Sequence, residues 1–334
     1  MPSKISNARR WSYAIDASMP ATRAVATILE TLLGVMVGNE QGVIERRDQE
    51  SLHDYRVALR RTRSALSLFR GMLEPAMDRR GRKFFADLGR RTSTARDLDV
   101  LRLALHGYVE DPAGAAPAGM ARLEQEIARE TRRRYAAIRR WFESKTYGRE
   151  IATWRSDLAG LAATAGSGPM AEGAARAIRK AALRVDRQIE RVATDDPAVS
   201  IHRLRIRFKK LRHALEFSRS LVRADEPAGA DEINGFIDAL EHLQDELGSY
   251  QDLVVHQRRI GEFCGAKGSD TALESLGRRL IVSLDERRQS LRESIQADVA
   301  DFRTGAQIQL ERALAWSESG GTGPSRHCTE VDPE

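Results

Sequence analysis

The chain has 334 residues with 6% aromatic and 31% charged residues, a balance that suits long solvated helices and disfavours a β-sandwich. Lys and Arg outnumber Asp and Glu by 54 to 48, a net charge of +6, so an anionic partner is indicated and local clustering matters more than the total. Two cysteines, Cys264 and Cys328, lie too far apart for a disulfide framework or a zinc-type spacing, and a reducing cytoplasm is the expected setting.

In chain order, the basic opening "MPSKISNARR" has no apolar core behind it and does not read as a secretory signal. Residues 1–17 are expected to form a tail. "SMPATR" offers Ser18 as an N-cap with Pro20 in the first turn. The apolar run "ILETLLGVMVG" is interrupted by Glu30 and is too short to span a bilayer. "SLHDYRVALRRTRSAL", Ser51 to Leu66, patterns as a helix with four arginines. "GMLEPAM" breaks at Pro75, and Arg96 with Asp97 in "RDLD" reads as the start of another helix, the Asp in its first turn opposing the dipole. "EDPAGAAPAG" is a loop, "ARETRRRYAAIRRWFES" a basic helix, and "AGSGPMAEG" a glycine-rich junction near mid-chain. Asp196 before Pro197 opens the helix holding "SIHRLRIRFKKLRHAL". "RADEPAGADE" is a break, "LDERRQSLRESIQADVADF" a further helix, and residues 317–334 read as a disordered tail.

Two of these segments match without a gap. His53 meets His202, Arg56 meets Arg205, Arg60 and Arg61 meet Lys209 and Lys210, and Arg63 meets Arg212. "LGRRTSTARDLDV" then lies on "LQDELGSYQDLVV", pairing Asp97 with Asp252, with a short insertion in the second copy. The chain therefore reads as an all-α protein built from an internal duplication. Two pseudo-symmetric multi-helix halves, 18–165 and 170–316, are each expected to bury an apolar stripe in a bundle of their own.

On a helical wheel of roughly 100° per residue, Arg56, Arg60 and Arg63 fall within about 80° of His53, and the second copy repeats the pattern. Arg61 and Lys210 sit toward the edge. Arg203 to Arg212 holds six cations and no acid. Like charges three and four apart repel by a few tenths of a kcal/mol each, so either other helices supply carboxylates or the stripe faces an anion. Finding it twice in one register favours the anion. Arginine suits the task because its planar fork grips phosphate oxygens in pairs, and the histidines can add a hydrogen bond or a charge.

Enzymatic readings find little support. No Ser or Cys nucleophile has a partner motif, HExxH is absent, and neither GxxxxGK[ST] nor a strand-linked GxGxxG occurs. His106, His242 and His256 show no ligand spacing with one another, so no metal or other cofactor is expected. The stripes hold Tyr55 and Phe208 but no interleaved aromatics, which weakens single-strand nucleic-acid binding and leaves duplex backbone binding open.

With "LHDYRVALRRTRSAL", "RDLDV", "IHRLRIRFKKLRHALEF" and "LQDELGSYQD", the sequence resembles the CHAD family, the conserved histidine α-helical domain, from about Ser18 to Trp316. The resemblance implies paired helical bundles around a basic central groove or cavity, and a module that binds inorganic polyphosphate on cytoplasmic polyphosphate granules. Family members often accompany a triphosphate-processing CYTH domain. No such segment is read here, which implies a stand-alone member. Carried onto this sequence, it implies phosphate contacts by His53, Arg56, Arg60, Arg61 and Arg63 and by His202, Arg205, Lys209, Lys210 and Arg212. Arg96 is a weaker candidate, since its counterpart is Gln251. Arg203 in place of Asp54 implies tighter binding by the second half. The expectation is a binding protein and not an enzyme. The alternatives are a generic polyanion or nucleic-acid binder using the same surface and, behind it, a metal-assisted phosphohydrolase using the histidines with Asp97 or Asp252.

Overall fold

The computed structural model describes residues 12–108, 117–164, 168–192, 197–222, 227–266 and 270–314. The segments 1–11 and 315–334, the centre of the mid-chain glycine junction and Asp196 lie outside the described residues, as does the expectation of a disordered tail. Among the described residues there are nine α-helices and no named strand: α1 Ala21–Glu45, α2 Gln49–Leu68, α3 Pro75–Ala104, α4 Met120–Phe142, α5 Lys145–Ala163, α6 Met170–Val192, α7 Pro197–Ser218, α8 Pro227–Cys264 and α9 Thr271–Leu314.

Their order runs in parallel. α1, α2, a 3-10 turn at Arg70–Met72 and α3 are followed by α4 and α5. In the second half α6, α7, a 3-10 turn at Arg219–Leu221 and α8 lead into one long α9. The first half breaks at Ser144, whose hydroxyl caps α5 by accepting from the Tyr147 amide. α9 continues for 44 residues, about 66 Å at 1.5 Å per residue.

Local chemistry explains the boundaries. Pro75 occupies the first turn of α3, where a missing N–H costs nothing, and the Glu74 carboxylate accepts from the Ala76 and Met77 amides. Asp48 caps α2 by accepting from the Ser51 amide. Ser18 does not cap α1. Its amide and hydroxyl both donate to Asp16, and Pro20 itself precedes the helix, bridged to Pro169 at the mid-chain junction. Arg96 and Asp97 do not start a helix either; they lie in the last third of α3. α3 opens at Pro75 and runs through Gly81 and Gly89, past Arg96 and Asp97, to Ala104 without a break.

Packing follows the 3.6-residue period. In α4 the buried residues are Met120, Leu123, Ile127, Thr131, Tyr135, Ile138 and Phe142, one stripe along the helix. On its exposed face Arg133 and Arg134 pair with Glu130, and Arg139 with Glu143. α1 is the one described helix long and apolar enough to cross a membrane. Here Val25, Ile28, Leu29, Leu32 and Met36 are fully buried, and α1 packs on α2, α4, α5 and α6.

The halves do not keep separate cores. One cluster runs from Tyr13 and α1 through Phe208, Phe217 and Phe236 to Leu314, and a second joins Leu98, Leu101 and Leu123 to Ile260, Leu276 and Leu280. The expectation of one buried stripe per half gives way to shared cores, because α2 packs on α7 and α1 on α6 across the midline.

Candidate functional site

The α2–α7 contact brings the two cationic stripes together. Beside it opens a cleft of about 710 Å³. From α2 it takes Arg56, Arg60 and Arg63, and from α7 it takes His202, Arg205, Lys209 and Lys210. α3 adds Arg82 and Arg90. Among the described residues lining it there is no Asp, no Glu and no aromatic side chain. A larger cleft of about 990 Å³ along α6 and α9, lined by apolar residues such as Phe236 and Phe302, shares no residue with it.

Several cations are held in place. Arg56 Nη1 donates to Thr92 Oγ1 at 2.8 Å and to the Gly89 carbonyl at 3.3 Å. A Cβ on Gly89 would stand 3.0 Å from Arg63 Nη1, so the glycine leaves room for arginines against α3. Lys210 Nζ donates to Ser67 Oγ at 3.0 Å, across the two halves. Arg56 lies near Asp97 and Arg205 near Asp252, so these two aspartates sit behind corresponding arginines. Burial raises both carboxyls, and the arginines pull against that rise. Asp99 is committed elsewhere, accepting from Tyr135 Oη at 2.6 Å.

Two cations lack a direct counter-ion, although the Asp252 charge acts on Arg60 from further off. Neither Arg60 nor Lys209 makes a hydrogen bond or ion pair with another described residue. Burial depresses Lys209 first, and Arg60, Arg205, Arg63 and Lys210 depress it further, to about 7. Arg60 is lowered by burial and then by Arg56, Arg205, Arg212 and Arg96. A guanidinium stays protonated, so for Arg60 the depression measures stored positive potential.

The histidines differ in a way set by their partners. His53 Nδ1 lies 2.9 Å from Arg96 Nη2; arginine can only donate, so Nδ1 accepts and the ring proton is on Nε2. Burial, then Arg96 and Arg60, lower the His53 pKa, which keeps it neutral. His202 Nδ1 lies 2.6 Å from Gln251 Oε1, an acceptor, so here the proton is on Nδ1. Arg96 and Gln251 thus occupy equivalent places with opposite chemistry. A neutral His53 offers an N–H outward. A neutral His202 offers a bare nitrogen, which suits an anion only when protonated.

Four of the candidate residues do not line the cleft: His53 and Arg96, which meet each other at 2.9 Å, and Arg61 and Arg212. Arg61 does not reach the cleft: it is buried, its Nη1 on Glu216 Oε2 at 2.5 Å and its Nε on Tyr13 Oη at 3.2 Å. One residue turns a helix by about 100°, enough to carry Arg61 into the core while Arg60 lines the cavity. Arg212 does not line the cleft either and is held by two carboxylates, Glu216 at 3.4 Å and Glu241 at 3.3 Å. Among the described residues, five of the eight lining cations come from α2 and α3, and Arg203 is not among them.

Arg82 and Arg90 are not among the residues expected from the sequence, although Arg82, Ala86, Arg90 and Ser93 recur four and three apart on one face of α3. Arg82 Nε is fixed by Asp78 Oδ1 at 2.7 Å.

Among the described residues, two groups could hold a metal: Glu50, His53 and Asp54 on α2, and His242, Glu246 and Asp298 between α8 and α9. In the first, His53 Nδ1 is already engaged by Arg96, and the neighbouring cations disfavour a further positive charge. The second lies outside the cationic cleft.

A family model described as "CHAD domain" matches residues 27–261, which contain both stripes and all of the cleft. The chain belongs to the CHAD domain family. Its fold is similar to the crystal structure of the CHAD domain from the plant Ricinus communis, at 28% identity and a TM-score of 0.73, over 87% of this chain and 95% of that one. PptA from Streptomyces chartreusis shares the fold at 15% identity and a TM-score of 0.52, over 88% of this chain and 100% of that one. No curated protein matches the sequence. This CHAD domain therefore presents its cationic cleft on an all-α frame shared with a plant homologue of the same family.

Proposed function

We propose that this CHAD domain binds inorganic polyphosphate in the α2–α3–α7 cleft, without turning it over, and so associates with polyphosphate granules in the cytoplasm. The observation that carries this reading is a cavity lined, among the described residues, by eight cations and no carboxylate, with Arg60 and Lys209 making no hydrogen bond or ion pair. Assembling such a cluster costs free energy that an anion returns. The parallel order of helices in the two halves supports the duplication, and it lets a threadlike polyanion engage α2 and α7 at once. Linked sites raise affinity through effective concentration. The lack of aromatic lining disfavours stacking of single-stranded bases.

The test is binding of polyphosphates of graded length against duplex and single-stranded DNA across a salt series. Affinity that rises with phosphate chain length and survives excess DNA at physiological salt supports the reading. Equal displacement by DNA replaces it with generic polyanion binding.

A further inference from the structure

We propose that Glu216, buried on α7 outside the cleft lining, is a positioning residue that holds the two cationic helices in the apposition that polyanion binding needs. This rests on the polyphosphate reading and adds to it a residue that no stripe contains.

Glu216 is 3% exposed on α7, two turns beyond Lys209 on nearly the same face of the helix, and is not among the residues lining the cleft. One oxygen receives Arg61 of α2, and the other lies 3.4 Å from Arg212, one turn earlier on α7. Arg212 in turn reaches Glu241 of α8. The partners of Glu216 are the chain neighbours of the cleft cations: Arg61 follows Arg60, and Arg212 follows Lys209 and Lys210 on the same helix. Around the pair, the Tyr13 ring meets Phe217 edge-on at 5.5 Å, and the Arg61 guanidinium lies 5.4 Å from the Phe217 ring.

The need for such a tie follows from the charge above it. Arg60 of α2 faces Arg205 and Arg212 of α7, and Lys209 of α7 faces Arg60 and Arg63 of α2. Before an anion arrives, these pairs push the helices apart. A dehydrated ion pair between the same two helices, beyond the cleft lining, opposes that push and is directional, whereas apolar packing alone tolerates sliding.

Electrostatics and positioning predict opposite signs for one substitution. Glu216→Gln removes a negative charge close to the cleft, so by field alone polyanion affinity rises. If Glu216 acts by holding α2 against α7, affinity falls. We expect a loss of roughly five- to thirtyfold, the span of a perturbation of one to two kcal/mol. Binding of long-chain polyphosphate and of tripolyphosphate to the full chain would be measured by calorimetry, with thermal melts to follow folding. Glu216→Asp, which keeps the charge, should recover part of the loss. The double variant Arg61→Met with Glu216→Met leaves net charge unchanged and suits a dry site, so it stays folded where Glu216→Gln does not. It too should bind more weakly. Wild-type binding with Glu216→Gln equal or tighter, or with the double variant equal to wild type, overturns the positioning role alone. A wild-type chain that binds neither polyphosphate overturns the underlying reading together with it.

Discussion

Lys209 makes the occupancy of the cleft measurable as proton uptake. In the free protein its ammonium titrates at about 7, because burial and four neighbouring cations disfavour the charge. A bound polyanion supplies the missing counter-charge and returns the lysine toward its ordinary value near 10.4. At pH 8.5 the free protein then holds a proton on Lys209 in roughly 3% of molecules and the complex in nearly all, so binding takes up about one proton. The terminal phosphates are the same in every arm, so the difference in uptake between wild type and Lys209→Met isolates the lysine. Affinity should fall about tenfold per pH unit from about pH 7 to pH 10. The fold responds with the opposite sign. Over the same window the unfolded chain binds the proton that folded Lys209 rejects, so its contribution to stability improves as pH rises. The assay is titration calorimetry at pH 8.5 in buffers of different ionisation enthalpy, with Lys209→Met and exposed Lys83→Met beside wild type. Uptake near zero in wild type, or undiminished in Lys209→Met, would refute the claim that Lys209 is an uncompensated cation awaiting an anion.

Replacing Arg60, Arg205 and Lys209 together by Ala should weaken polyphosphate binding roughly a hundredfold at physiological salt, while thermal melts show equal or higher stability because mutually repelling charges are removed. The exposed triple Arg132, Arg133 and Arg134 to Ala should cost less than about threefold, and similar losses from both triples would mean diffuse attraction. A plot of log affinity against log salt should be linear with a slope on the order of −4 to −7, as expected when six to eight cations release counterions. Gly119→Ala should destabilise by about 1–3 kcal/mol in chemical denaturation, since φ is +88° and a Cβ would lie 2.8 Å from the Ala272 carbonyl oxygen. With Mg²⁺ or Mn²⁺ added, no phosphate should be released from polyphosphate or nucleotides; release that disappears in His53→Ala would make the protein an enzyme.

The stripes were readable in advance because a helix repeats every 3.6 residues. His53, Arg56, Arg60 and Arg63 share a face whatever the fold, as do His202, Arg205 and Lys209. The parallel order of helices was foreshadowed by the gapless match of the two segments. Arg82 and Arg90 escaped because their stripe is diluted by Ala86, Gly89 and Ser93, residues that look bland until arginines from α2 need the space. Arg61 was misplaced for a different reason. At the edge of a wheel, a cation's fate depends on what the edge meets, and Glu216 comes from 155 residues further along the chain. The histidine pair shows the same limit. The match of His53 with His202 was visible, but the opposite tautomers follow from Arg96 and Gln251, supplied by α3 and α8.

By itself the sequence determined the helices, most of their ends, and two ridges of repelling charge, since these depend on residues within a turn or two of one another. Tertiary structure alone decided that the ridges face each other across one cleft, that α3 completes it, and that Arg61 and Arg212 serve as ties. The reason is that local periodicity says which side chains share a face, while only packing brings distant carboxylates into contact with some cations and leaves others, Arg60 and Lys209, without an ion pair among the described residues.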